Sequence, residues 1–155
     1  MRGLWVGLVV AVWGVVALVG CRNDNAVDTF SYPISAFYGE WQAVEFSPIV
    51  VGAEQLGELL NESYDQVSIA DFTTTIYSGN KCDFRFEFNR VDAPQSGAYT
   101  IYNQSPVACY ISDNQVVVMD RYLCYTIKSL VGDLATIELW ASGAVSPITV
   151  KLRRI

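Results

Sequence analysis

The sequence predicts an all-β domain, an antiparallel up-and-down barrel of about eight strands with one short helix near residues 53–63. Short runs of alternating apolar and polar residues follow one another from residue 37 onward, separated by turn residues every 8 to 12 positions. The chain has 155 residues, and the part that follows an apolar N-terminal segment fits one domain of ordinary size.

The first element is an export segment, predicted for residues 1–20. Residues 3–20 carry no charge, follow Arg2 and run into Leu18-Val19-Gly20-Cys21, after which the chain becomes polar at once. This junction resembles the lipobox of a bacterial lipoprotein signal peptide. The resemblance implies cleavage before Cys21, a diacylglycerol on its sulfur and a further acyl chain such as palmitate on its amino group. The alternative is an uncleaved membrane anchor, because eighteen apolar residues reach the lower limit of a membrane span.

The next segment, residues 21–35, is predicted to be the lipidated cysteine and a flexible tether to a domain at 36–155. Its polar, turn-prone residues after Cys21 could span at most ~45 Å when fully extended. Arg22, rather than aspartate, follows the cysteine. By resemblance to the sorting rule of Gram-negative lipoproteins, this implies the outer membrane of a bacterial cell envelope, with the membrane as a partner through the acyl chains.

The body of the chain offers nine candidate strands. The clearest is 81–90, where Phe84 and Phe86 alternate with charged residues, which indicates one buried face and one wet face. Ser78-Gly79-Asn80 supplies the turn of a hairpin with the preceding run. The candidates are 39–46, 68–77, 81–90, 97–103, 107–111, 115–119, 122–130, 134–141 and 147–154.

One interruption of the β pattern is helical. Leu56, Leu59 and Leu60 are spaced for one face of a helix, while Glu54 and Glu58 fall on the other. We expect this stretch to cover one mouth of the barrel.

A second resemblance concerns the domain itself. Tyr38-Gly39-Glu40-Trp41 is similar to the Gly-x-Trp first strand of lipocalin-like (calycin) barrels, and the order of three later segments agrees with small bacterial members of that group over residues 36–155. The later segments are 96–101, 125–130 with 137–139, and the basic final strand 151–154. In that family the first-strand Trp plugs the closed end and an Arg of the last strand lies across it.

Strand parity selects the arginine of this barrel closure, which would comprise Gly39, Trp41 and Arg154. Arg154 is in phase with the apolar residues Val150 and Leu152, whereas Arg153 is not. The alternative is that both arginines are solvated ends of an edge strand. If Trp41 and Arg154 lie at one end of a meander, the number of strands must be even. The weakest candidate is 107–111, preceded by Pro106, and we interpret it as irregular or as part of a broken strand.

Three cysteines follow the lipid site, and the predicted compartment permits disulfides. Because three is an odd number, they cannot all pair within one chain. With eight strands, Cys82 and Cys109 come to the same end of the barrel, and we expect a disulfide between them that leaves Cys124 as a small buried hydrophobe. A ninth strand would undo that choice. No metal site is expected, because there is no Cys-x-x-Cys and no histidine.

Catalysis is disfavoured. The chain has no histidine, the commonest general base, and no phosphate-binding glycine loop, so we expect neither an enzyme nor a cofactor. Carboxylate pairs such as Asp113 with Asp120 or Asp71 with Glu138 are better explained as solvated surface groups. The net charge of −6 disfavours nucleic acid as a partner.

These observations leave a non-catalytic binding module with two alternatives. Inward aromatic and aliphatic residues could line a pocket for one small hydrophobic ligand. They could instead fill the barrel, which would leave the surface to dock on or inhibit another envelope protein. The residues concerned are Phe72, Phe84, Phe86, Tyr99, Ile101, Tyr125 and Ile137.

Overall fold

The computed structural model describes residues 32–111, 116–118 and 122–155, with side chains given outside 110–121. The predicted export segment, the predicted lipidation site Cys21 and the predicted tether up to residue 31 therefore lie outside the described residues. Within the described residues, no helix is both long and apolar enough to cross a membrane.

Eleven strands and one α-helix make up the described chain, with short 3-10 helices at Ile34–Phe37, Gly57–Leu59 and Pro94–Ser96. The helix α1 is Ala53–Leu56. The strands are β1 Gly39–Ser47, β2 Val50–Gly52, β3 Gln66–Tyr77, β4 Lys81–Arg90, β5 Tyr99–Tyr102, β6 Val107–Ala108, β7 Tyr110–Ile111, β8 Val116–Val118, β9 Leu123–Val131, β10 Leu134–Ala141 and β11 Ile148–Arg154.

The strands form a meander whose first and last members are neighbours. The order across the sheet is β5-β4-β3-β1-β11-β10-β9-β8-β7, with β2 beside β3 and β6 beside β4. Every pairing is antiparallel. The predicted fold class, an all-β up-and-down arrangement with one short helix near 53–63, is confirmed.

The two halves of the sheet meet at a broken strand. β5 and β6 lie along β4 one after the other, while β7, which is separated from β6 by Cys109 alone, pairs with β8. The described residues contain no ladder that joins β5 directly to β7. The prediction that 107–111 belongs to a broken strand is thus confirmed. If β5 to β7 count as that one strand and β2 as an extension beside β3, the described sheet has the eight strands expected.

A side chain bridges the break. Asn103 accepts a hydrogen bond from the Phe84 backbone N–H (2.7 Å) and donates to the carbonyls of Cys82 (3.1 Å) and Ser105 (2.8 Å). The irregular residues between β5 and β6 make no regular ladder with β4, and the Asn103 side chain takes the place of the missing bonds. The Phe84 N–H and the Cys82 carbonyl of β4 therefore stay paired.

The core follows the period-two pattern. In β4, Cys82 and the three phenylalanines at 84, 86 and 88 are buried, while the residues between them are partly or fully exposed. The even-numbered residues of β11 are buried in the same way up to Leu152. Because the buried faces of successive strands meet, the interior formed by the described residues is mainly apolar, with the Thr74 and Tyr125 hydroxyls as buried polar groups.

The helical segment 53–59 covers the end of the barrel that is opposite Trp41. Leu56 is fully buried against the core, and the backbone of the segment lies directly on the loop that joins β10 to β11. The Glu58 N–H donates to the Ser142 carbonyl (2.9 Å), and the Val145 N–H donates to the Glu54 carbonyl (2.9 Å). We call residues 53–59 the lid segment.

The lid contact predicts that Gly57→Ala is destabilising. Gly57 has φ +50°, and a Cβ there would lie 2.2 Å from the Ser142 carbonyl oxygen. We expect a loss of about 2 kcal/mol or more in the free energy of unfolding, measured by urea denaturation. Gly97→Ala is the matched control, because Gly97 has φ +61° but no atom within 4 Å of the added Cβ. Equal losses in the two variants would show that the close approach at Gly57 costs nothing.

Candidate functional site

One end of the barrel is sealed by a tryptophan and an arginine. The Trp41 side chain is 1% exposed, and its Nε1–H donates to the Phe37 carbonyl (2.8 Å). The Arg154 guanidinium carbon lies 4.4 Å from the Trp41 ring centroid, within range of a cation–π interaction. The two residues are also register partners in the β1–β11 ladder. The structure therefore brings together the residues predicted to close the barrel.

Backbone carbonyls hold the arginine in place. Arg154 donates through one terminal nitrogen to the Ala36 carbonyl (2.8 Å) and through the other to the Tyr38 carbonyl. Its Nε lies 3.2 Å from the carboxylate of Asp133, an exposed partner that contributes little to stability. The guanidinium also covers Gly39, where an added Cβ would lie 3.7 Å from its terminal nitrogen. Arg153, on the opposite face of β11, is exposed, as its parity predicts.

The residues predicted to line a pocket all face the interior or its margin. Phe72, Phe84, Phe86, Tyr125 and Ile137 are buried in the core cluster, and Tyr99 and Ile101 are partly buried against it. The structure thus places all seven side chains in or against one buried apolar cluster. Whether they enclose a ligand or fill the space is the point that separates the two alternatives.

A chain of aromatic rings runs from this interior to the lid end. Ring centroids lie 5.3 Å apart for Phe72 and Phe86, 4.3 Å for Phe86 and Phe88, and 4.8 Å for Phe88 and Tyr99. Tyr64 stacks on Tyr99 from outside at 5.8 Å. The sequence analysis did not assign Phe88 or Tyr64 to the site. Phe88 shares the parity of Phe84 and Phe86, which could have identified it, whereas no local pattern marks Tyr64.

The lid end is fastened by polar side chains at the surface. Gln55 donates to the Ser146 hydroxyl (3.0 Å), which in turn donates to the Glu54 carboxylate (3.2 Å). The Ser142 hydroxyl donates to the Glu58 carboxylate (2.9 Å). Such hydrogen bonds at the protein surface compete with water, so they hold the lid segment less firmly than buried contacts would.

Two tyrosines supply polar groups at the interior. Burial raises the pKa of Tyr125 well above its ordinary value, and the nearby sulfurs of Cys82 and Cys109 act in the same direction. Burial likewise raises the pKa of Tyr99, whose hydroxyl is within 3.4 Å of the Leu59 carbonyl at the lid. Both phenols therefore stay neutral at physiological pH and can act as hydrogen-bond donors.

The cysteines require a correction. Cys82 and Cys109 come together in the buried interior as expected, but they are thiols that share a hydrogen bond, so the expected disulfide between them is absent. Burial raises the pKa of the Cys109 thiol, and disulfide exchange needs a thiolate. Cys124 is fully buried, as expected, but it is disulfide-bonded and is therefore not merely a small hydrophobe. Cys124 alternates with the core residues Leu123 and Tyr125, which places its side chain on the outer face of β9.

Among the described residues, no three His, Cys, Asp or Glu side chains form a group that could hold a metal ion. Asp71 and Glu138, the carboxylate pair considered above, lie on strands β3 and β10, which are not neighbours in the sheet. The other acidic pair considered, Asp113 with Asp120, lies outside the described residues. The described part of the chain therefore offers the apolar interior as its candidate site.

Comparisons with known proteins give matches among solved structures only. No family model matches the chain, and no curated protein does. The structure of bovine odorant-binding protein with its natural ligand matches with a TM-score of 0.43 and 15% identity, over 83% of this chain and 77% of that chain. Bovine odorant-binding protein with a selenium-containing odorant matches with 0.42 and 15%, over 83% and 76%. Its complex with undecanal matches with 0.41 and 13%, over 83% and 77%.

The sealed end predicts unequal roles for the two terminal arginines. Arg154→Met would remove the cation–π contact and leave the carbonyls of Ala36 and Tyr38 without their donors, so we expect a loss of about 2–3 kcal/mol in the free energy of unfolding. Arg153→Met is the matched control and should cost less than about 0.5 kcal/mol. Chemical denaturation of both variants measures the difference. Similar losses would mean that Arg154 is a solvated strand end like its neighbour.

Proposed function

We propose that this chain is a non-catalytic binding module of the bacterial cell envelope, anchored by acyl chains on Cys21, whose barrel binds one small hydrophobic ligand. The observation that carries the ligand proposal is the difference between the two barrel ends. One end is sealed by the buried contact of Trp41 with Arg154, and the other is covered by the short lid segment 53–59. Ligand pockets are concave and mostly apolar and often lie in the mouths of β-barrels, so an apolar barrel interior with one sealed end and one end covered by a short segment suits such a site.

The two ends of the barrel differ in the free energy needed to open them. At the sealed end Trp41 is buried, so exposing it would return a large aromatic surface to water. At the lid end the bonds of Gln55, Glu54 and Glu58 to the serines of the facing loop lie at or near the surface and can be replaced by water. Leu56 is the residue of α1 whose burial must be given up. Opening at the lid must also break the backbone bonds of Glu58 to Ser142 and of Val145 to Glu54. It exposes one leucine rather than a tryptophan, so we expect it to cost less than opening at Trp41.

The chemistry of the interior supports binding rather than catalysis. Burial keeps the Tyr125 and Tyr99 phenols and the Cys109 thiol protonated, so these groups are poor bases and poor nucleophiles. The chain also has no histidine to activate them. A neutral hydroxyl in an apolar setting can orient a ligand through one hydrogen bond.

The second candidate is a protein-interaction or inhibitor module with a filled barrel. The ring contacts from Phe72 through Phe86 to Phe88 favour it, because rings at 4.3 to 5.3 Å already touch one another. In this case the surface would carry the function and would dock on another envelope protein.

Native mass spectrometry separates the two candidates. We expect the mature protein, purified in a mild detergent and incubated with a lipid extract of its own envelope, to carry a reproducible adduct below one kilodalton. Phe86→Trp adds bulk to the fully buried Phe86 site and should abolish the adduct at a cost of about 1–3 kcal/mol in stability. Tyr102→Trp on the adjacent strand, where Tyr102 is exposed, is the control and should keep it. Absence of an adduct, together with one co-purifying envelope protein, would support the interaction module instead.

The membrane anchor is tested at Cys21. We expect Cys21→Ser to release the protein from membranes, because several acyl chains, each stabilised by about 0.8 kcal/mol per buried methylene, would be lost. Persistence of the variant in the membrane fraction would favour the uncleaved anchor. Non-reducing mass spectrometry of the N-terminal peptide should show a thioether and an acyl chain on Cys21. Cys124 is disulfide-bonded, and one sulfur cannot carry both a thioether and a disulfide. The anchor therefore requires that Cys124 pair in the mature protein with a cysteine other than Cys21 of the same chain. A disulfide between Cys21 and Cys124 in the mature protein would overturn the anchor.

A further inference from the structure

We infer that the ligand is an uncharged apolar molecule with one hydrogen-bonding oxygen, such as an alcohol or a carbonyl compound, and that the site rejects carboxylates and other anions. This inference rests on the proposed ligand-binding function and names the class of ligand. Three independent features of the described residues carry it: the interior, the nearest cation and the rim of the lid end.

The interior offers nothing to neutralise a negative charge. The buried polar or charged residues of the described chain are Thr74 and Thr126, and neither is cationic. Thr74 already donates to the Asp83 carbonyl (2.9 Å), and Thr126 alternates with the core residues Tyr125 and Ile127, which places it on the outer face of β9. An anionic group in this space would lose its hydration without gaining a counter-ion, which is strongly unfavourable.

The cation nearest to the sealed end of the interior is already committed. Arg154 is bonded to the carbonyls of Ala36 and Tyr38 and paired with Asp133, and its guanidinium lies over the Trp41 ring. A ligand inside the barrel would meet the buried Trp41 at this end. Arg154 therefore could pair with a ligand carboxylate only by giving up its contacts with these carbonyls and with the Trp41 ring.

The lid end is acidic. Glu54, Glu58, Glu62 and Asp65 are exposed along the lid segment and the residues that follow it. Arg90, at the end of β4, is paired with Asp92 through two contacts of 2.7 and 3.1 Å. An anionic head group left at this mouth would therefore face carboxylates of the same sign.

A neutral oxygen has a suitable partner at the same end. The Tyr99 hydroxyl is partly buried beneath the lid, and its contact with the Leu59 carbonyl is long at 3.4 Å. The Asn61 backbone also hydrogen-bonds to this hydroxyl as a donor, so the Tyr99 oxygen is held in place. The hydroxyl proton makes only the long Leu59 contact and can turn to donate to a ligand oxygen at little cost. Tyr99 also continues the ring chain through Phe88, so a ligand whose apolar part contacts these rings would place its oxygen near this hydroxyl.

Matched pairs of probes test the inference. Binding of 1-decanol and decanoate, and of 1-naphthalenemethanol and 1-naphthoate, is measured on the mature protein at pH 7.5 by calorimetry or by intrinsic fluorescence. We expect the alcohol of each pair to bind at least ten-fold more tightly than the carboxylate. A carboxylate that binds as tightly as its alcohol overturns the inference and leaves the proposed function intact. If none of the four probes binds, the proposed function fails and the inference fails with it.

A charge-reversal variant tests the role of the rim. Glu62→Lys should narrow the alcohol-to-carboxylate ratio by several-fold, because it replaces a repulsive charge at the mouth with an attractive one. Glu40→Lys is the matched control, because Glu40 is an exposed carboxylate at the sealed end. It should leave the ratio unchanged. Equal changes in the two variants would show that the rim does not select against anions, which contradicts that part of the inference.

Discussion

The register between β1 and β11 is the constraint on which the rest of the structure depends. Trp41 and Arg154 face each other in this ladder, so the contact between ring and guanidinium is a direct result of the pairing. A slip by one residue would bring Arg153 opposite Trp41 and turn every buried residue of β11 outward. Because β1 also pairs with β3, the same register links the seal to the buried faces of the neighbouring strands. The sealed end, the apolar interior and the position of the lid segment all follow from it.

The sequence predicted the features that depend on periodicity. Alternation in β4 identifies its buried face, and parity in the last strand distinguishes Arg154 from Arg153. The leucine spacing located the helix, although it extended the helical segment past Leu59, where the regular turns end. Such predictions succeed because the burial of one face fixes the polarity of many residues along the same strand or helix, so the pattern is repeated.

Other features depend on contacts between distant residues, and the sequence did not reveal them. Asn103 bridges the broken strand through β4, and Tyr64 stacks on Tyr99 across 35 positions of the chain, yet neither residue belongs to a local pattern. The cysteine error has a similar origin. Strand ends placed Cys82 beside Cys109 correctly, but whether two adjacent sulfurs are bonded depends on ionisation and access, which strand order does not encode.

The broken strand also implies that the barrel is not equally rigid around its circumference. β6 contributes only two residue pairs to β4. Between β5 and β6, the Asn103 side chain bonds to Phe84 and Cys82 of β4. On its other edge, β4 is joined to β3 over ten residue pairs. Local opening needs the least free energy where the fewest bonds must break, so amide hydrogens in 103–109 should exchange with solvent well before those of β3 and β4. The wall would thus open along one seam while the seal at Trp41 stays intact.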